Sequence, residues 1–201
     1  GDKTGDVTLA DAVRDYLKVR YGKPGNVYLG IPHRLDRPTS GIVVYCRTEK
    51  ALVRMNSMFK GSDVRKIYWA VVDGIPENPE GTLVHYIVRD TQKNKSVARP
   101  IESQGSKLAK LDYRLIGSSK SFNLLEILLH TGRHHQIRAQ LAALCLHIKG
   151  DLKYGAARSN PDGGIHLHAR SISFQHPIKK EALTIVAPPP RDAVWDFFAG
   201  L

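Results

Sequence analysis

The stretch His33-Arg34-Leu35-Asp36-Arg37-Pro38-Thr39-Ser40-Gly41 sets one carboxylate between two arginines, followed by a proline, a pair of hydroxyls and a glycine. An apolar run from Ile42 to Cys46 comes next. Proline stiffens the chain and a continuous β-branched run suits a strand buried on both faces, so this reads as an acid on a rigid loop feeding a strand. Cations on either side favour the charged form of a carboxylate, the form in which it acts as nucleophile or base. Asp and Pro are equally at home in ordinary turns, so the loop alone leaves both readings open.

Working outward, Thr8 and Asp11 form a capping box ahead of a helix whose apolar positions Leu9, Val13, Tyr16 and Leu17 recur until Gly22. Val27 to Ile31 reads as a short strand leading into the Asp36 loop. Thr48 caps a second helix, with Leu52, Met55 and Phe59 on one face and Gly61 at its end. Lys66 to Asp73 alternates like a two-faced strand, and Gly74 to Gly81 is a turn. Arg89 to Ser106 reads as the longest irregular stretch, carrying Lys93, Lys95 and Arg99. A basic loop of that length suits phosphate binding or plain solvation. Lys107 to Ile116 and Phe122 to Leu129 form a hairpin. Thr131-Gly132-Arg133 starts a helix in which Ile137, Leu141 and Leu144 share a face, with Arg138 at its margin. Two more strands, Ile165 to Phe174 and Leu183 to Val186, precede a last helix built on Val194, Trp195, Phe197 and Phe198. Helices and strands mix without βαβ alternation. That predicts an α+β fold with a mixed sheet, not a doubly wound one.

The 201 residues carry 30 Lys and Arg against 19 Asp and Glu, a formal charge of +11. Such a balance favours a polyanionic partner, nucleic acid first among them. Cys46 and Cys145 both lie in apolar segments and read as small buried hydrophobes in a reducing compartment. No apolar run approaches the ~18 residues of a membrane span, which predicts a cytoplasmic protein without a membrane partner.

Three stretches taken together resemble the RluA-type pseudouridine synthases. His33 to Gly41 resembles the family's catalytic motif, and Lys66-Ile67-Tyr68-Trp69-Ala70-Val71-Val72-Asp73-Gly74 is similar to its Lys-x-Tyr-x-Ala-x-Val-x-Gly strand. The third runs Thr131-Gly132-Arg133-His134-His135-Gln136-Ile137-Arg138 and continues to Gly150-Asp151 and Tyr154-Gly155. Leu167-His168-Ala169 with Phe174-Gln175-His176-Pro177 is similar to the closing segment. The departures are Cys145 and His147, where the family usually has Gly and Pro, and Gln140, where a His is common.

The resemblance implies a largely antiparallel, curved mixed sheet flanked by helices around a central cleft. It implies one catalytic domain over residues 1–201, lacking the family's leading strand and any S4 module. It also implies an enzyme that isomerises uridines of ribosomal or transfer RNA by flipping the base. Asp36 would be the catalytic carboxylate, Tyr68 the tyrosine that stacks on the base, and Arg138 the arginine paired with the acid. Arg34 would fill the gap left in the RNA, Leu167 would floor the pocket, and His33, Thr39 and Arg133 would join them on the substrate side. Breaking and remaking a glycosidic bond within one nucleotide involves no redox change, so no cofactor or metal is expected. The sequence lacks a Walker loop, a dinucleotide fingerprint and zinc spacing. His134 and His135, taken as helical neighbours pointing about 100° apart, do not suit a shared metal. DNA is not an expected partner, and a monomer is the default. Two other readings remain: a non-catalytic RNA-binding or chaperone module on the same fold, and a histidine-based nuclease. Whether Asp36 attacks the sugar or the ring, or assists a glycal-like route, stays open. RNA affinity should fall with salt at a log-log slope of about one per phosphate contact; a filter-binding titration giving a flat line would contradict the basic-surface expectation.

Overall fold

The structure is a computed structural model that describes residues 7–200. The chain divides into two compact units.

The first unit runs to Arg34 and takes in Val43–Asp63 and His176–Glu181. Helix α1 (Leu9–Arg20) opens with the expected capping box: Thr8 Oγ1 accepts the Asp11 N–H at 3.2 Å and Asp11 Oδ2 accepts the Thr8 N–H at 3.1 Å. Thr48 caps helix α2 (Glu49–Gly61) through the Ala51 N–H, and Met55 is its buried residue. The strands expected at Val27–Ile31 and Ile42–Cys46 shrink to a single bridge between Gly30 and Cys46. No one partner strand accompanies the Ile42–Cys46 run: the Ile42 N–H goes to the Ala169 carbonyl, whereas Cys46 exchanges hydrogen bonds with Gly30. β-branched composition favours a strand only where a neighbour offers a ladder.

The second unit holds Leu35–Ile42, Val64–Gln175 and the chain from Ala182 onward. Its described residues form an eight-stranded sheet in the order β1-β7-β2-β6-β5-β3-β4, with β8 also on β7. The strands are β1 (Ser40–Gly41), β2 (Arg65–Val72), β3 (Glu80–Asp90), β4 (Lys95–Arg99), β5 (Lys107–Ser118), β6 (Asn123–Leu129), β7 (Leu167–Gln175) and β8 (Ala182–Val186). Only the β1–β7 pairing is parallel. The unit is therefore a mixed, largely antiparallel α+β fold with an open sheet. Strand alternation sorts the two faces. Ala70 and Val72 join the core beneath helix α3 (Gln136–Ala143), while Val71 and Leu124 pack on Trp195 and Phe198 of helix α4 (Ala193–Ala199).

Three expectations are corrected here. Arg89–Ser106 is not a long loop, because β3 continues to Asp90 and turns through residues 91–94 into β4, which pairs back on it. Basic side chains on an edge strand hide its β character from a reading by hydrophobic pattern. Helix α3 begins at Gln136, five residues after Thr131, and is buried from Gln136 to Leu141, so it presents no single apolar face. Cys145 is exposed, and only Cys46 is buried.

Cys145 occupies the left-handed position, φ 57°, after α3. The Leu146 N–H reaches the Leu141 carbonyl at 3.0 Å and the Cys145 N–H reaches that of Ala142 at 3.1 Å, which makes a Schellman cap with cysteine where glycine is preferred. Cys145→Gly should therefore raise stability by about 1 kcal/mol, since the left-handed penalty on a Cβ exceeds the extra entropy of glycine. Urea denaturation checks this, and an unchanged midpoint would mean the cap is not strained.

Candidate active site

Strand β7 brings the pieces together. Ala169 pairs with Gly41 of β1 on one side and with Tyr68 of β2 on the other. Gly41 has φ 113°, and a Cβ there would fall on the Ala169 backbone, so the Asp36 loop rests on β7 only because glycine stands there. The β2–β7 register shifts between Ile67 and Tyr68, a bulge that re-aims the side chain beside it. Leu167 lies two residues earlier on β7, opposite Ala70, and is 3% exposed in the core that Tyr68 packs against. The loop itself is a turn closed by the Thr39 N–H on the Asp36 carbonyl at 2.9 Å, with the Pro38 carbonyl accepting the Ile165 N–H.

Arg138 is 5% exposed. Its Nε and Nη2 donate to the two oxygens of Asp151, each at 2.7 Å, a fork-on-fork pair. Its Nη1 is left to donate to Asp36 Oδ2 at 3.3 Å. The two-point pair thus goes to Asp151, and Asp36 receives one longer contact. The guanidinium also lies 4.9 Å from the centre of the Tyr154 ring. Burial works against its charge, but the hydrogen bonds and charge of Asp151, then those of Asp36, outweigh it and raise its pKa. Burial, then the Asp36 charge, pushes the Tyr68 phenol up to about 12, so it keeps its proton at neutral pH.

His135 joins this group. It caps α3 from a left-handed backbone, φ 51°, with Nε2 3.8 Å from Asp36 Oδ2 and Nδ1 3.0 Å from the Tyr154 hydroxyl. Neither His134 nor His135 is helical, and their rings stack with centroids 3.8 Å apart. Their Nδ1 atoms are engaged by Ser96 Oγ and Tyr154 respectively. Asp151 and Tyr154 thus belong to the cluster although the sequence pattern assigned them no role, and His135, expected as an RNA-facing or helix-terminal residue, joins them at the start of α3. The motif positions Gly150-Asp151 and Tyr154-Gly155 are the signal that marks the first two.

The remaining candidates divide. Thr39 belongs to the loop turn, and its hydroxyl makes no hydrogen bond among the described residues. Arg133 is exposed and its Nε donates to the Leu108 carbonyl at 2.9 Å, which tethers it to β5 and not to the Asp36 group. His33 and Arg34 belong to the first unit. There His33 Nε2 accepts the Val44 N–H at 2.8 Å and its ring lies 4.8 Å from that of Phe59, while Arg34 is exposed.

Residues 4–143 match the family described as RNA pseudouridylate synthase. The chain belongs to the RluA-type RNA pseudouridine synthases. A Chlorobaculum parvum protein named as an uncharacterized RNA pseudouridine synthase is 34% identical over 211 residues, covering 96% of this chain and 64% of its own length. A Zymomonas mobilis protein named ribosomal large subunit pseudouridine synthase D is 30% identical, covering 93% of this chain and 61% of its own. The chain thus spans about six-tenths of the length of these curated relatives. Among solved structures, human RNA pseudouridylate synthase domain containing 4 superposes with a TM-score of 0.78 at 25% identity, covering 97% of this chain and 82% of that one. Human RNA pseudouridylate synthase domain containing 1, at 23% identity and a TM-score of 0.72 over 96% of this chain and 80% of that one, shares the fold.

Asp151→Ala leaves a buried guanidinium with one of its three side-chain hydrogen bonds and should cost about 3 kcal/mol or more in urea denaturation. A loss below about 1 kcal/mol would place the pair among weak surface bridges instead.

Proposed function

We propose that this chain isomerises uridine to pseudouridine in structured RNA, acting as one catalytic domain over residues 1–201. Asp36 is its catalytic carboxylate. The C1′–N1 bond breaks, the uracil turns, and C1′ joins C5; the C5 hydrogen leaves as a proton and N1 gains one. No oxidant, reductant or metal enters that balance. A carboxylate serves it as a nucleophile or as a partner for a cationic sugar. The target base leaves its stack at a cost of a few kcal/mol and is held by stacking and edge hydrogen bonds. Tyr68 supplies the stacking surface with its phenol proton retained, and Leu167 the apolar floor. Arg34 fills the space the base vacates, and His33, Thr39 and Arg133 meet the RNA around it. The observation that carries this reading is the anchored acid: Asp36 is held on one oxygen by an arginine that is itself fixed by a second, buried carboxylate.

The substrate is ribosomal or transfer RNA, and the large-subunit ribosomal RNA is the first to try, since the Zymomonas mobilis relative carries that name. The formal charge of +11 suits such a polyanion. The test is release of tritium from RNA labelled at the uracil 5-position. Wild type should release label, and Asp36→Asn should be slower by on the order of a thousandfold or more. RNA binding with no release by wild type would favour the non-catalytic binding module, and shortened RNA that depends on His134 or His135 would favour a nuclease.

A further inference from the structure

His135 is buried against Asp36 and Arg138 on a backbone that a residue with a Cβ adopts at a cost, a conformation that points to a role. Its hydrogen bonding decides where its proton sits. The Ser96 N–H is a donor only, so at 2.8 Å the Tyr154 oxygen accepts it. Tyr154 is 6% exposed, and burial pushes its hydroxyl up to about 12, so the phenol keeps its own proton. That proton needs an acceptor, and His135 Nδ1 stands 3.0 Å away. Nδ1 is then bare and the imidazole hydrogen belongs to Nε2, which faces Asp36 Oδ2 at 3.8 Å.

The charges around the ring agree. Arg138 faces it from α3, the His134 ring stacks on it from its own turn, and Asp151, Lys153 and Tyr154 surround it from residues 151–154. Asp36 faces it from the loop after His33, and Lys95 of β4 lies over the Tyr154 ring. Burial, then the charges of Arg138, His134 and Lys153, push the imidazole down to about 3 against the pull of Asp151. Arg138 Nη1 meets the same Oδ2, and among the described residues Asp36 Oδ1 takes no hydrogen bond.

We propose that His135 is a positioning residue for Asp36: the Tyr154 hydroxyl locks it as the neutral Nε2–H tautomer, and it turns that N–H on Oδ2 so that Oδ1 is the oxygen presented to substrate. This rests on the chain's being a uridine isomerase. The lock itself does not need activity to be read. In the full chain, 15N spectra of the imidazole should show a bare Nδ1 and a protonated Nε2 from pH 5 to 8, and Tyr154→Phe should release a mixture of tautomers. An Nδ1–H tautomer, or an imidazolium at pH 6, overturns the proposal.

For function, His135→Ala should slow single-turnover isomerisation by on the order of tenfold to a hundredfold with RNA affinity unchanged. His135→Gln, which restores an N–H near the Nε2 place, should recover most of that loss. Equal loss in the two variants, or a loss confined to RNA affinity, overturns the positioning role. A wild type that isomerises no RNA sinks the isomerase reading itself, while the 15N measurement still decides the lock.

Discussion

Burying a guanidinium costs several kcal/mol unless its charge and its N–H groups all find partners. Arg138 is 5% exposed, and each of its three guanidinium nitrogens has a carboxylate partner, through the Asp151 fork and the Asp36 contact, with the Tyr154 face beside them. The partners come from two separate parts of the chain, so the one constraint draws α3, residues 151–154 and the Asp36 loop to a common point. Asp151 does the heavier share, with two bonds of 2.7 Å to the single one of 3.3 Å at Asp36. The arrangement leaves Asp36 aligned but loosely held, which suits an acid that must still meet a substrate.

The sheet supplies the other coordinate. β7 takes β2 on one side and, on the other, β1 at His168 and Ala169 and then β8 from Ser171 onward. Its Ala169 sits between Gly41 and Tyr68, so the acid-bearing loop and the tyrosine strand are placed by backbone hydrogen bonds and not by side-chain packing. Such placement tolerates sequence change at most positions and almost none at Gly41, where a Cβ would collide with the Ala169 backbone. Cys145 is the contrasting case: it is exposed, so its left-handed position has room for a side chain, and the chain carries the strain there.

Elements dominated by local signals were legible in the sequence. The Thr8 and Thr48 caps, the alternation of β2 and the β5–β6 hairpin stand where their patterns put them. What failed did so where a neighbour decides. Ile42–Cys46 has strand composition but no one strand that runs beside it, and the basic, polar 95–99 segment becomes a strand because β3 offers an edge. Thr131 to His135 reads as the first turn of a helix, but His135 takes a left-handed conformation and α3 begins only after it, at Gln136.

By itself, the sequence determined the family and the α+β class and singled out Asp36 as the candidate acid, because ordered motifs and charge are properties of residue type and spacing. Only the tertiary structure decided who holds that acid. Spacing along a chain cannot tell that Arg138 turns its fork to Asp151, or that Tyr154 orients His135, since these are contacts between segments whose meeting depends on the sheet and the helix packed on it. The physical reason is the same in each case: a buried polar group must be satisfied by whatever the fold brings within hydrogen-bond reach, and that is settled in space.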